Sequence, residues 1–276
     1  MARSGPVQEL LIIVSVYAQL LHLRLRLQLV APLRDARPVR PRGGSCRSGR
    51  LAVLVTLGVP PDGLVSLWAA AAVVILNVML NRPMALPTER FLTSGSGRVL
   101  DVGAGSGRAA IGVLLARPNT TALGVDIYSG YWGIDENTPE RFMRNARTAG
   151  VAERAAARVG DMRQLPFGDG EFDGVVSSYA IDHLRRAERP KAIAEVARIL
   201  KPGGEFLLMI IHVDWKTWLV SPLLAHHPSQ NPEPWRALLQ EHGFAVQEEG
   251  TPFATLYFLA KKQGTSPSGS TGDARH

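Results

Sequence analysis

The sequence predicts an α/β fold: a doubly wound, mostly parallel sheet with helices on both faces, preceded by apolar helices near the N-terminal end. Three observations carry that expectation. Between residues 82 and 262, short runs rich in Val, Ile and Leu alternate with amphipathic segments, so that strand and helix take turns four times. One of those strands runs directly into a glycine-rich turn and then a helix. The last two strands stand close together in sequence, as a short hairpin at a sheet edge would. With 276 residues, 46% of them apolar and 20% charged, the chain can bury a large core and is not disordered as a whole.

Taken in order, residues 1–50 hold an apolar run at 10–23, an alternating stretch from His22 to Leu29, and a Pro/Arg/Gly passage that reads as a linker. Residues 51–81 are apolar except for the break Pro60-Pro61-Asp62-Gly63. Within them 64–80 is a seventeen-residue stretch whose polar members are Ser66 and Asn77. As a helix it would be about 25 Å long, the lower edge of what spans a bilayer. Membrane association through 51–80 is favoured over burial as a helical cap, and the arginines from Arg24 to Arg50 keep the upstream flank cytosolic. The segment is expected to act as a hydrophobic anchor, with 64–80 as a single span, 51–80 as a hairpin that dips in and returns, and 10–23 as a further span all open. The expected location is membrane-associated with the catalytic domain cytoplasmic, and a soluble cytoplasmic protein is the alternative. A secretory leader is not expected, because the opening run lacks a small-residue cleavage site.

From residue 82 to 262 the pattern predicts one domain. It comprises strand 98–101, helix 107–117, strand 122–126, helix 139–149, strands 156–159 and 172–177, helix 190–200, strand 205–212, and strands 244–249 and 255–261. The helix at 190–200 shows the logic best. Pro190 suits a first turn, Ile193, Val196, Ala197 and Leu200 share one face, and Lys201-Pro202-Gly203-Gly204 stops it. The Ser/Gly/Thr tail at 263–276 is expected to be disordered.

The formal charge of +7 suggests a polyanion until its distribution is counted. Residues 1–50 carry nine Arg against Glu9 and Asp35, a net of +7, and the rest of the chain carries 22 basic and 22 acidic residues. The basicity thus flanks the apolar segment, where anionic lipid headgroups or membrane orientation account for it, and the neutral domain disfavours a nucleic-acid partner. Cys46 is the single cysteine, which excludes an internal disulfide, and His226 and His227 lie in a Pro-rich loop without a ligand cluster, so no metal site is expected.

The chemistry concentrates at strand ends. In VLDVGAGSG, residues 99–107, glycines at alternate positions let the backbone bend and approach a ligand, and the following helix offers its N-terminal N–H groups. A nucleotide-like ligand at the C-terminal end of that strand is expected. The spacing is G-x-G-x-G, and Arg108 stands where a dinucleotide fingerprint has its third glycine, which disfavours a nicotinamide cofactor. Nineteen residues past Gly107, Asp126 ends the next strand, placed to accept from both ribose hydroxyls. Asp161 ends the third strand, where it can accept from an exocyclic amine, and Met162 can pack on an adenine face. Structural roles compete with each: close helix packing for the glycines, an N-cap for Asp126, a turn for Asp161.

Together with GVDIY at 124–128, GDMRQLPF at 160–167, FDGVVSSYAIDHL at 172–184 and RILKPGG at 198–204, this order of motifs resembles the class I S-adenosylmethionine-dependent methyltransferases, in their small-molecule branch. The resemblance covers roughly residues 98–262. It implies a Rossmann-like, seven-stranded, mostly parallel sheet with a reversed edge hairpin, and S-adenosylmethionine as cofactor. It further implies that Asp101 and the backbone of Gly103, Ala104, Gly105 and Gly107 hold the methionine end, Asp126 the ribose, and Asp161 and Met162 the adenine. Ile127 and Ser177 complete the implied set. Residues 128–135, Tyr-Ser-Gly-Tyr-Trp-Gly-Ile-Asp, are inserted where the family turns directly into a helix. Their aromatics could cover the cofactor, line an acceptor pocket, or pack on the N-terminal zone.

Methyl transfer from a sulfonium needs alignment and a partly dry site, and a base only if the acceptor must lose a proton. Candidates follow the fourth strand: Tyr179, Asp182 and His183, the last because an imidazole titrates near neutrality. A local structural role for His183 is the alternative. His212, Asp214 and Trp215 rank second as wall residues. The fourth strand reads Ser-Ser-Tyr-Ala, not the Asn/Asp-Pro-Pro-Tyr/Phe of enzymes that methylate exocyclic nucleobase nitrogens, and the lone Cys argues against resemblance to arsenite methyltransferases. The expected function is methyl transfer to a small-molecule or lipid-like acceptor. The alternatives are a membrane-tethered, non-catalytic cofactor-binding module and, disfavoured by Arg108, an NAD-dependent oxidoreductase.

Overall fold

The computed structural model describes residues 66–68, 70–72, 74, 84–129, 137–215, 217, 230–252 and 254–264. One compact unit comprises Arg82–Thr217 and Ala225–His276, and a second comprises Met1–Asn81 and Trp218–Leu224. In the second the described residues are 66–68, 70–72 and 74, and they are helical. The apolar run at 10–23, the linker with Cys46, most of the segment expected at a membrane, and His226 and His227 lie outside the described residues. Among those described, no helix is long and apolar enough to cross a membrane.

The larger unit is built on a seven-stranded sheet of order β3-β2-β1-β4-β5-β7-β6. Its strands are β1 Ser96–Val102, β2 Asn119–Asp126, β3 Ala155–Val159, β4 Phe172–Ser178, β5 Leu200–Ile211, β6 Phe244–Gly250 and β7 Thr255–Lys262. β1 pairs in parallel with β2 on one side and β4 on the other, with Asp101 opposite Gly124 and Val176. From β1 the chain winds outward to β3 and then restarts on the opposite side at β4. That reversal opens a crevice at the C-terminal ends of β1 and β4, where open α/β sheets bind ligands. The terminal strand pair is a hairpin as expected, but the later strand lies inside: β7 runs antiparallel to β5 and β6 takes the edge.

Among the described residues four helices cover the sheet: α1 Arg108–Ala116, α2 Pro139–Thr148, α3 Arg189–Ile199 and α4 Pro232–Glu241. The alternation of β1 sends Leu100 and Val102 into one core with Val175, Phe206, Ile193, Val196 and Trp235. It sends Val99 to the other, with Val176, Leu207, Met209, Phe91 and Val113. α4 is absent from the sequence reading because two prolines interrupt its first turn. Pro232 and Pro234 sit where N–H groups have no partner one turn back, so neither breaks the helix, and the Asn231 side chain accepts from Glu233 N at 3.1 Å. Lys201-Pro202-Gly203-Gly204 does end α3, yet it lies inside β5: Leu200 pairs with Phe172, the register then shifts, and Glu205 pairs with Gly174.

A segment with no regular structure runs from Met84 to Leu92 ahead of β1 and is bonded to four parts of the domain. Met84 N donates to Arg108 O at 3.1 Å, and Arg117 donates to the carbonyls of Phe91 and Glu89. Leu92 N donates to Glu205 at 2.7 Å, and the Thr88 hydroxyl to Glu248 at 3.0 Å. On the opposite flank α2 contributes Phe142, fully buried, as a wedge between the glycine turn and β2. A Cβ on Gly107 would fall 2.6 Å from its ring and one on Gly124 2.5 Å. Phe142→Ala is expected to cost about 3 kcal/mol or more in denaturant unfolding, because the small residues around it cannot expand to refill the space. A loss below about 1 kcal/mol would show that the wedge is not what sets this spacing.

Candidate cofactor and acceptor site

The site begins where β1 turns into α1. Asp101 is buried in the second-last position of β1, and its Oδ2 accepts from Ala110 N at 2.9 Å, satisfying an N–H group in the first turn of α1. Its Oδ1 is buried and has no partner. Between strand and helix, Gly103, Gly105 and Gly107 take φ values of +77°, +50° and +85°, the left-handed region that glycine enters at no steric cost. At Gly103 a side chain is excluded on a second ground, since a Cβ would fall 2.2 Å from that of Ala180. Gly103 N and Ala104 N donate to Val125 O, Gly105 N donates to Asp126 Oδ2 at 2.9 Å, and Asn145 of α2 donates to Ser106 O at 2.8 Å.

Asp126 therefore links two strand ends: one oxygen holds the turn, and the other accepts from Tyr128 N at 2.7 Å. Ile127 beside it is half exposed. At the end of β3, Asp161 faces a different partner than expected. Arg163 makes a bidentate contact with it at 2.7–3.1 Å and reaches on to Glu188, and these bonds hold the Asp161 carboxyl below the usual range. The methyl of Met162 lies against the turn, 3.2 Å from where a Gly103 Cβ would stand. Ser177 is fully buried and its hydroxyl donates to Val102 O at 2.8 Å, fastening β4 to β1. Asp101, the glycine turn, Asp126 and Met162 thus converge, whereas Asp161 and Ser177 are committed to protein groups.

The other half of the crevice is formed past β4 and β5. Tyr179 holds a φ of +51°, its N–H donates to Met209 O at 2.9 Å, and its hydroxyl pairs with that of Thr255 at 2.5 Å. Burial pushes its phenol up, with the Thr255 bond and the Arg108 charge opposing. Asp182 and His183 lie in a single 3-10 turn, Ile181–His183. Asp182 Oδ2 accepts from Ile211 N at 3.0 Å, Oδ1 is buried without a partner, and burial raises its carboxyl. Arg189 fixes this turn from behind, donating to the carbonyls of Asp182 at 2.6 Å and Leu184 at 3.2 Å while stacking on Trp235. His212 has a buried, unpartnered Nδ1, Asp214 accepts from Thr217, and Trp215 is exposed.

The sequence reading missed Ala180, Asn145, Arg189 and Thr255. Asn145 and Arg189 looked like ordinary polar positions on amphipathic helices, and nothing local distinguishes the two that reach a loop carbonyl. A cavity of about 740 Å³, lined by Met84, Leu86, Thr88, Leu115 and Arg117 among others, lies at the opposite end of α1 from the glycine turn and holds none of these groups.

The residues fit S-adenosylmethionine. The turn is built of glycines through which backbone can approach a ligand, and the buried Asp101 Oδ1 has no partner of its own to satisfy it. Burial pushes the Asp101 carboxyl up to about 7, the Ala110 N–H opposing and the Asp126 charge adding. Folding thus retains a proton that the unfolded chain releases near 3.8, so stability is greatest below that value and falls as pH rises to about 7. Asp101→Asn is expected to flatten this slope, leaving the variant more stable at about pH 8 by on the order of 2 kcal/mol. Parallel pH profiles of the denaturation midpoint for variant and parent would contradict it.

Comparison with known proteins places these features in context. An uncharacterized methyltransferase of Synechocystis sp. is 36% identical over 141 residues, 51% of this chain and 58% of that protein. The ubiquinone/menaquinone biosynthesis C-methyltransferase UbiE of Citrifermentans bemidjiense is 30% identical over 147 residues, 49% of this chain and 56% of that protein. The chain thus spans a little over half the length of these curated relatives. Among solved structures, an O-methyltransferase family protein from Burkholderia thailandensis shares the fold with a TM-score of 0.51 at 15% identity, covering 76% of this chain and 63% of that one. Residues 99–204, which carry the glycine turn, Asp126, Asp161 and the β4 motif, match the methyltransferase domain family, and the cofactor of that domain is S-adenosylmethionine.

Proposed function

We propose that this protein transfers a methyl group from S-adenosylmethionine to a small-molecule or lipid-like acceptor that enters over the C-terminal ends of β4 and β5. The convergence of Asp101, the glycine turn and Asp126 on the crevice where the strand order reverses carries this reading. Bound there, the cofactor supplies a methyl group on a positively charged sulfur. The turn takes the methionine end beside Asp101, and Met162 supplies an apolar face to the adenine. Asp126 receives the ribose hydroxyls, for an ionised carboxylate has about four lone-pair sites and two of them are in use. Asp161, bonded to Arg163, is the weaker adenine contact of the two the sequence suggested.

On the acceptor side, methyl transfer breaks a C–S bond and forms a bond to the acceptor nucleophile in line with it, so alignment supplies most of the rate. His183 receives the acceptor proton where one is lost. Asp182, pinned by Ile211 N and by the Arg189 contact, holds the turn that carries His183. That a relative in this size range bears the name of a quinone-pathway C-methyltransferase supports a small, apolar acceptor over a nucleic acid.

The expected outcome is micromolar binding of S-adenosylmethionine in calorimetry, lost on Asp126→Ala, and formation of S-adenosylhomocysteine with a metabolite and lipid extract. His183→Ala is expected to lower turnover by about 100-fold with cofactor affinity unchanged. Binding without product in any extract would favour a non-catalytic module, and absence of binding would end the proposal.

A further inference from the structure

The hydroxyl of Tyr128 is buried and has no hydrogen-bond partner. An unpaired buried hydroxyl costs about 1–3 kcal/mol, and this residue also holds a φ of +50°, uncommon for an aromatic side chain. One bond secures that backbone: Tyr128 N donates to Asp126 Oδ1 at 2.7 Å, and the other oxygen of the same carboxylate takes Gly105 N. The chain just beyond is tied back at Asn137, whose side-chain amide donates to Ser129 O at 3.3 Å. Tyr128 thus stands beside the cofactor crevice in the segment inserted after Asp126, with a polar atom that the protein does not satisfy.

The charged groups around that hydroxyl define its partner. They are Asp126 at the end of β2, Asp101 at the end of β1 and Glu140 in the first turn of α2, all carboxylates; burial first, and then these charges, raise the phenol above its ordinary range. The hydroxyl therefore stays protonated and has a proton to donate, which a partner with an oxygen lone pair can take. A carboxylate partner would bring one more negative charge into this neighbourhood. A sugar hydroxyl brings none, and it can donate to Asp126 while accepting from Tyr128.

We propose that Tyr128 is a ribose-binding residue, its hydroxyl donating to a hydroxyl of the nucleoside sugar that Asp126 holds. The proposal rests on the placement of the ribose at Asp126. With it, the sugar is gripped from both directions, by an acceptor and a donor whose positions depend on each other through the Asp126–Tyr128 backbone bond.

Calorimetry on the full chain with S-adenosylhomocysteine and its 2′-deoxy and 3′-deoxy analogues tests this. Tyr128→Phe is expected to weaken S-adenosylhomocysteine by about five- to tenfold. For the analogue that lacks the contacted hydroxyl, parent and variant are expected to bind within about twofold, an effect that ring packing alone would not produce. An equal loss with all three ligands, or no loss with any, overturns the proposal. If Asp126→Ala weakens binding and Tyr128→Phe does not, the role of Tyr128 fails while the ribose placement stands. If the parent chain binds no S-adenosylhomocysteine, or Asp126→Ala binds as tightly as the parent, the ribose placement fails and the proposal with it.

Discussion

A single buried carboxylate organises the ligand-binding end of this domain. Asp101 is withdrawn from water at the end of the central strand, with Ala110 N–H, from the first turn of the following helix, as its bonded donor. That bond sets how sharply the chain must reverse between strand and helix, and three glycines with left-handed backbones make the reversal sterically possible. Asp126 then fixes the turn to the neighbouring strand through Gly105. Moving Asp101 out of the core would release the helix, the turn and the second carboxylate together, which is why a group so costly to bury is still found there.

The two halves of the crevice are stabilised differently. On the β1–β2 side backbone N–H groups are the donors: those of the turn donate to Val125 O and to the Asp126 carboxylate, that of Ala110 donates to Asp101, and apolar Phe142 fills the space behind. On the β4–β5 side it is side chain against carbonyl, with Arg189 spread between Trp235 and the turn that holds Asp182 and His183. The first side therefore depends on two carboxylates, and the second on a guanidinium held against a tryptophan face.

Legibility in the sequence followed the same division. The strand, turn and helix around VLDVGAGSG were readable because short apolar runs alternate with amphipathic segments and the glycine spacing marks the turn, Asp126 because it ends the next such run, and Asp101 through the family resemblance. An edge hairpin was expected, but not that β7 would lie inside it. The segment Met84–Leu92 was not readable. It has no periodicity, and its bonds go to Arg117, Glu205 and Glu248, up to 160 residues away. α4 was hidden by Pro232 and Pro234, whose tolerance at a first turn is invisible to a rule that treats proline as a break. Asp161 shows the converse. Its position at a strand end invited a ligand role, and what the sequence did not show is that Arg163, two residues on, reaches both of its oxygens.

The bonds of Met84–Leu92 also bear on where an independently folding piece of this chain would have to start. The stretch recognisable by family resemblance opens at residue 99. Cut there, Glu205 and Glu248 would each lose a bonded donor, Arg117 would lose the two carbonyls it donates to, and Phe91 and Leu92 would leave one face of the sheet uncovered. The recognisable motif and the autonomous folding unit therefore have different edges, about fifteen residues apart in sequence. The difference consists of residues whose bonds tie the helix after β1, β5 and β6 together, and a shortened chain that drops them forfeits those bonds.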